Sequence, residues 1–402
     1  MIKKCFLTVL LCLSCGLVKA QTADLAGALI DDAVPTSSAS EPSKAKENIA
    51  DDRGMFSFLN FSFVKKPMQV LSAQKETAQQ MIDPLDELRI KDKPQTPAQQ
   101  PAVQAPHETQ LERATRLAED GDVDSALSLG YMYLYGTDDI KTDYQKAFHF
   151  YKLAADKDSP IALNNLGSLY FSGIGTEVDY QKASELFSKA AQKGNADAAV
   201  NLAFIYLSSG KKQHFEQAVD LFEQAAQEGN QTAKFMLGYA YYKGFVVDQN
   251  LREAVKLIRD SAKASFDEAQ LVLANMYLNG EGIAKNYGHA VKYYRAASAQ
   301  GNTEAMLILG DILAEGRLYQ QNLPQAHVLY NVASVYGKTK AAAKRDALES
   351  EIQLEELLEA QTSAEKYKPK PSELTTYIRQ TFGKNIRRYI DDNLAKQKGP
   401  IN

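Results

Sequence analysis

Residues 162–195 read ALNNLGSLYFSGIGTEVDYQKASELFSKAAQKGN, and this stretch decides the fold because the chain writes a version of it six times. Its first half sets Ala162, Leu166, Gly167 and Tyr170 on one helical face, since residues three and four apart are neighbours on a helix surface. Gly173 then closes that helix, where a residue without Cβ adopts the left-handed conformation at no steric cost. Asp179 opens a second helix, its side-chain oxygen able to accept from backbone N–H groups that lack an intrahelical partner. Ala183, Phe187 and the pair Ala190-Ala191 give this helix a packing face, and Gly194-Asn195 joins a helix stop to the next cap.

Outward from this unit the register holds. The small anchor recurs as Gly130, Gly167, Ala203, Gly238, Ala274 and Gly310, a period of about 36 residues. Leu129, Leu166, Leu202, Leu237, Leu273 and Leu309 precede it, and Tyr133, Tyr170, Tyr206, Tyr241, Tyr277 and Leu313 follow three positions later. The second helix is predicted to start at Asp143, Asp179, Asn250, Asn286 and Asn322, with His214 the exception. Six such units stacked on one another predict an all-α solenoid over residues 107–362. Leu111 to Gly121 and Ala341 to about Thr362 keep helical periodicity without the ridge and are expected to cap its two ends.

Two patterns carry a resemblance: small-x3-Leu-Gly-x2-Tyr-x2-Gly and Asp/Asn-x3-Ala-x3-aromatic-x2-Ala-Ala, six times in register over residues 122–341. They resemble the Sel1-like repeat family, a relative of tetratricopeptide repeats, and imply a right-handed solenoid of helix-turn-helix repeats. Ala203 and Ala274 replace the usual Gly, Leu313 replaces Tyr, and the third unit has a shortened turn, so local irregularity is expected there. The resemblance also implies protein–protein recognition, as for Sel1-like envelope proteins in exopolysaccharide export, restraint of sensor kinases, flagellar motor assembly and host interaction. Some cysteine-rich relatives are linked to penicillin binding and β-lactam hydrolysis, but they carry a cysteine pair per unit and this chain carries none in its repeats.

The flanks read differently. All three cysteines (Cys5, Cys12, Cys15) lie in residues 1–20, where Lys3 and Lys4, the apolar Phe6 to Leu13 and Val18-Lys19-Ala20 resemble a secretory signal. Cleavage after Ala20 is the favoured reading, with a lipid on Cys15 as its competitor. Residues 21–106 have a low-complexity, Pro- and Ser- or Gln-rich character that suits a tether. Within them the alternating phenylalanines of residues 56–64 suggest a strand or an adhesive motif, whose role is left open. The chain has 46 basic and 50 acidic residues, whereas residues 366–402 carry nine Lys or Arg against three carboxylates. An acidic body disfavours nucleic acid as a partner. The basic tail, residues 363–402, sets Leu374, Tyr377, Ile378, Phe382, Ile386, Tyr389 and Ile390 at helical spacing. Its two readings are packing on the last repeats or docking on a partner or anionic surface.

Chemistry is sparse. The five histidines are scattered, with no ligand spacing, so no metal is expected. Gly173-Ile-Gly175 and Gly280-Glu-Gly282 follow helices rather than strands, which makes them turns rather than phosphate loops. No nucleophile elbow is present, so neither catalytic residues nor a cofactor are expected and the chain is read as a non-enzyme. In related repeats the face opposite the ridge lines a concave groove, which here holds Tyr131, Tyr135, Phe171, Phe204, Phe235, Tyr239 and Tyr242. Each ring presents ~150–250 Å², so one-third exposure of the seven gives about 400 Å², the size of a typical interaction patch. The resemblance implies a periplasmic scaffold, an adaptor, assembly factor or regulator, and the patch places its envelope-protein or peptide partner across units one to four. The alternative is a peptidoglycan- or polysaccharide-binding protein, with membrane contact only through the tail or a lipid on Cys15.

Overall fold

The computed structural model describes residues 108–137 and 139–398; the signal, the tether and its aromatic segment lie outside the described residues. Among the described residues there are 17 α-helices and no strand. No helix there is long and apolar enough to cross a membrane. The chain forms two compact units, one of residues 294–370 and one of the described residues up to 293 together with 371–398.

The larger unit opens with α1 (Gln110–Glu119), started by a capping box between Thr109 and Glu112. Helix pairs follow: α2 (Val123–Tyr135) with α3 (Tyr144–Asp156), α4 (Pro160–Ser172) with α5 (Tyr180–Gln192), and α6 (Ala196–Ser208) with α7 (Lys212–Gln227). Next come α8 (Gln231–Lys243) with α9 (Leu251–Lys263), and α10 (Asp267–Asn279) before α11 (Tyr287–Ala299), in which the chain passes from one unit to the other. From α1 to α10 each helix packs on its sequence neighbours, as expected of stacked repeats. The expected caps are in place: Asp143, Asp179, Asn195, Asn230 and Asn250 each accept a backbone N–H three residues on. The third unit departs from the prediction. Its second helix starts not at His214 but at Lys212, after Lys211 with no side-chain cap, and His214 Nδ1 lies 2.8 Å from Ser209 Oγ within the shortened turn.

The anchor's small size has a steric cause. A Cβ on Gly167 would lie 2.9 Å from the Phe187 ring of the partner helix, a distance that real Cβ atoms do not adopt. The ridge leucines and second-helix aromatics fill the space so created, with Leu129, Leu166, Leu202, Tyr151, Phe187 and Phe222 all buried.

The smaller unit holds α12 (Thr303–Glu315), α13 (Leu323–Val335), α14 (Thr339–Leu348) and α15 (Leu354–Glu365). Asn302 and Asn322 cap its repeat helices, and Tyr330 and Lys344 both bond Asp311 at 2.7 Å. The terminal cap is thus two helices, α14 and α15, rather than one.

The C-terminal residues return to the larger unit as α16 (Glu373–Phe382) and α17 (Arg388–Lys398). The apolar stripe foreseen in the tail is real, with Ile378, Phe382, Ile386, Tyr389 and Ile390 all buried. It is broken into two helices at Gly383, which takes φ +91°. Packing on the last repeats was one of the two expected placements; instead the stripe covers units three to five, as the contacts below define.

Candidate functional site

The site grows out of one irregular joint. Between successive units the chain normally places glycine at positive φ and then an Asn cap, as at Gly194-Asn195 and Gly229-Asn230. Between units four and five the pair is Ser265-Phe266, with Ser265 at φ +64° and no side-chain cap on α10. Phe266 is there for packing: it is buried, edge-on to Phe235 with ring centroids 5.0 Å apart. The cap that it forgoes comes from the C-terminal segment. The Asp267 amide donates to Thr375 Oγ1 at 3.1 Å, and Ser372 Oγ donates to the Ser265 carbonyl at 2.6 Å. An exposed helix start would leave that amide to water; here a residue 108 positions away satisfies it.

Charge fixes the next contacts. Asp267 and Glu268, at the amino end of α10 where the helix dipole favours carboxylates, are both buried. Arg379 Nη2 reaches Asp267 Oδ2 at 2.7 Å, and Arg387 Nε donates to Glu268. At the other end the polarity reverses. Tyr239 Oη donates to Asp391 Oδ1 at 2.9 Å, with Lys243 Nζ 3.9 Å from the same carboxylate. Burial first, and then the Asp391 carboxylate, push the Tyr239 phenol well above its ordinary range, so it remains a donor. The buried carboxylates of α10 thus take the segment's arginines, and Tyr239 and Lys243 of α8 take its Asp391. Asn393 Nδ2 adds a bond of 3.1 Å to the Leu207 carbonyl in the last turn of α6, which also accepts from the Gly210 amide.

Between these polar anchors lies the aromatic row. Phe204 stacks on Phe382 with centroids 4.0 Å apart and meets the edges of Tyr389 at 5.0 Å and Phe222 at 5.5 Å. Phe235 stacks on Tyr239 at 5.9 Å. Phe171 lies edge-on to Tyr180 at 5.0 Å. Phe171, Phe204, Phe235 and Tyr239 are therefore buried, and the one-third exposure expected of them is not met. Tyr131, Tyr135 and Tyr242 stay half-buried. Tyr131 and Tyr135 form a tilted pair at 4.7 Å, and Tyr242 Oη donates to Glu281 at 2.6 Å. The structure thus brings Phe204 and Tyr239 against the C-terminal segment, packs Phe235 on Tyr239 and Phe266, and keeps Tyr131 and Tyr135 as a pair on the first unit.

Sequence reasoning missed Asp267, Glu268, Thr375, Arg379, Arg387 and Asn393. Their one signal was the Ser265-Phe266 joint, where no capping side chain stands, whereas Ser159, Asn195, Asn230 and Asn302 cap the other joints between units. Among the described residues no group of three His, Cys, Asp or Glu converges as a metal site.

The Sel1 repeat family model matches residues 123–159, 160–195, 196–230, 232–265, 267–302 and 303–334, more than half of the chain. The chain belongs to the Sel1 repeat family. Sel1 repeat proteins generally mediate protein–protein interaction, and their repeats typically serve as non-catalytic scaffolds. Matching solved structures include a Sel1 repeat protein from Oxalobacter formigenes, at 28% identity and TM-score 0.49 over 56% of this chain and 99% of that one. They also include a protective antigen present in uropathogenic Escherichia coli strains and displaying an SLR fold, at 23% identity and TM-score 0.46 over 73% of this chain and 67% of that one. No curated protein matches the chain significantly.

Proposed function

We propose that the chain is a periplasmic scaffold, exported by a cleaved signal and acting without catalysis, that holds a protein segment on the first-helix face of its repeats as an adaptor, assembly factor or regulator of an envelope process. One observation carries this reading: the face already holds a helical segment, the chain's own α16–α17, through aromatic stacking, helix capping and paired charges. A surface with these three kinds of contact suits a polypeptide, because caps and ion pairs at fixed spacing read backbone and charge, which a neutral glycan lacks. The half-buried Tyr131/Tyr135 pair offers a partner its first hold.

The experiment is site-specific photo-crosslinking in cells from Tyr131 and Tyr135, beside retention of the purified chain on cell-wall polymer. A discrete protein adduct from these two positions, absent from the ridge position Leu166, supports the scaffold. Retention on purified polymer without any adduct would replace it by glycan binding. Location is tested separately: a mature chain beginning at Gln21 agrees with cleavage, whereas palmitate incorporation abolished by Cys15→Ser would assign a lipoprotein.

A further inference from the structure

We infer that the segment Ser372–Lys398 is an exchangeable ligand of the repeats, and that the partner recognised over units three to five is a basic amphipathic helical segment of the same pattern. This deepens the reading of the face as a protein-binding site and rests on it. Three observations separate the segment from a further repeat. Ser372, Thr375 and Arg379 hold α16 to the repeats through side-chain bonds, and α17 packs against α6, far from it in sequence, whereas the repeat helices α1 to α10 each pack on their sequence neighbours. The repeats also have a ridge packing of their own: Leu202, Leu237 and Leu273 are buried, and the consecutive helices α5 to α10 pack on one another. Finally, the contacts are those by which a groove reads a peptide. Thr375 caps a foreign helix, Asn393 bonds a foreign carbonyl, and Arg379 and Arg387, eight residues apart, each find a buried carboxylate.

The ion pairs point the same way. A buried pair gains little over an apolar one of the same shape, because both ions give up water, but it penalises any occupant that cannot present the matching charge. Asp267 and Glu268 therefore act as a filter for arginine at fixed spacing. Phe204 supplies the stacking surface for an aromatic one turn from the first arginine, as Phe382 stands to Arg379. An occupant lacking the two cations would forgo both of these ion pairs at buried carboxylates. The partner's chemistry is thus written in the cis segment: an aromatic and Ile face, flanked by two arginines eight residues apart and followed by an acidic residue for Tyr239 and Lys243. While the segment is docked the partner sees only the fraction of molecules in which it has left, and its apparent affinity falls by that fraction.

The test uses the full chain and, as probe, a fluorescein-labelled synthetic peptide of residues 372–398. In the Arg379→Glu/Arg387→Glu variant the cis segment is repelled by Asp267 and Glu268, and the probe should bind at least about tenfold more tightly than to the unaltered chain. Adding Asp267→Asn and Glu268→Gln to that variant should cost the probe about tenfold again. A second variant guards against misfolding: Leu207→Cys/Asn393→Cys, oxidised, fixes the segment in place and should exclude the probe, and reduction should readmit it. Equal probe binding in the unaltered, charge-reversed and stapled chains would overturn the inference. So would continued protection of residues 373–393 from hydrogen exchange in the charge-reversed chain. Partner capture from Tyr131 that persists in the oxidised staple would leave the scaffold reading intact while removing the exchange.

Discussion

Gly167 and Phe187 show how one atom sets the spacing of a repeat. Because a Cβ there would sit 2.9 Å from the ring, Gly167→Ala is expected to destabilise the chain by ~1–3 kcal/mol in urea unfolding, as overpacked core sites do. At Phe204 the opposite change applies. Phe204→Ala removes a buried ring that touches both Phe222 and the C-terminal Phe382, and should cost ~3–5 kcal/mol. A loss of that size marks a core position, which the C-terminal segment has made of this groove residue. Asp197 sets a pH dependence. Burial raises its carboxyl to about 6, against which the hydrogen bond from Asn230 Nδ2 at 2.8 Å acts only partly. A carboxyl whose folded value exceeds its unfolded one destabilises the fold when ionised, so this cost is absent in acid and appears as pH rises from about 4 through about 6. Asp197→Asn should therefore raise the melting temperature at pH 8 and leave it nearly unchanged at pH 4. A larger gain at pH 4 would show that the carboxylate is stabilised rather than strained.

Helix ends decide matters at the next scale. Thr375→Ala removes the side-chain cap that the C-terminal segment offers α10 and should cost ~1 kcal/mol, with faster exchange of the Asp267 amide as its local mark. Glu268→Arg or Arg387→Glu alone strands a buried charge and should destabilise by ~3–5 kcal/mol, while the two together should recover a substantial part. Elements of this kind were unequally legible. The repeat helices could be read because each boundary has its own local chemistry, Gly at the stop and Asp or Asn at the start, written over and over in one register. The start of α7 was misplaced because the third unit lacks that chemistry, with Lys211 and a shortened turn where the others offer an acidic or amide cap. The tail's apolar face was legible from its spacing, but its destination was not. Periodicity tells which side chains seek cover and nothing about the partner, and the contacts with Leu207, Tyr239 and Asp267 span more than 100 residues. Ser265-Phe266 could have hinted at it, since a missing cap at a buried joint requires a donor or acceptor from elsewhere.

For the whole molecule, composition and burial together set the boundaries of the resistant body. Limited proteolysis should remove residues before about 107, whose composition suits a tether, and should retain the chain to about residue 398. The buried stripe of the basic tail argues for its retention. The central claim is that the face of units three to five is a binding site for a helical protein segment, occupied in this chain by α16–α17. Amide hydrogen exchange of residues 373–393 in the intact chain tests it most directly. The account predicts these amides slowed by about a hundredfold or more relative to the isolated peptide, with the slowing lost in Arg379→Glu/Arg387→Glu. Exchange at free-peptide rates in the unaltered chain would contradict it.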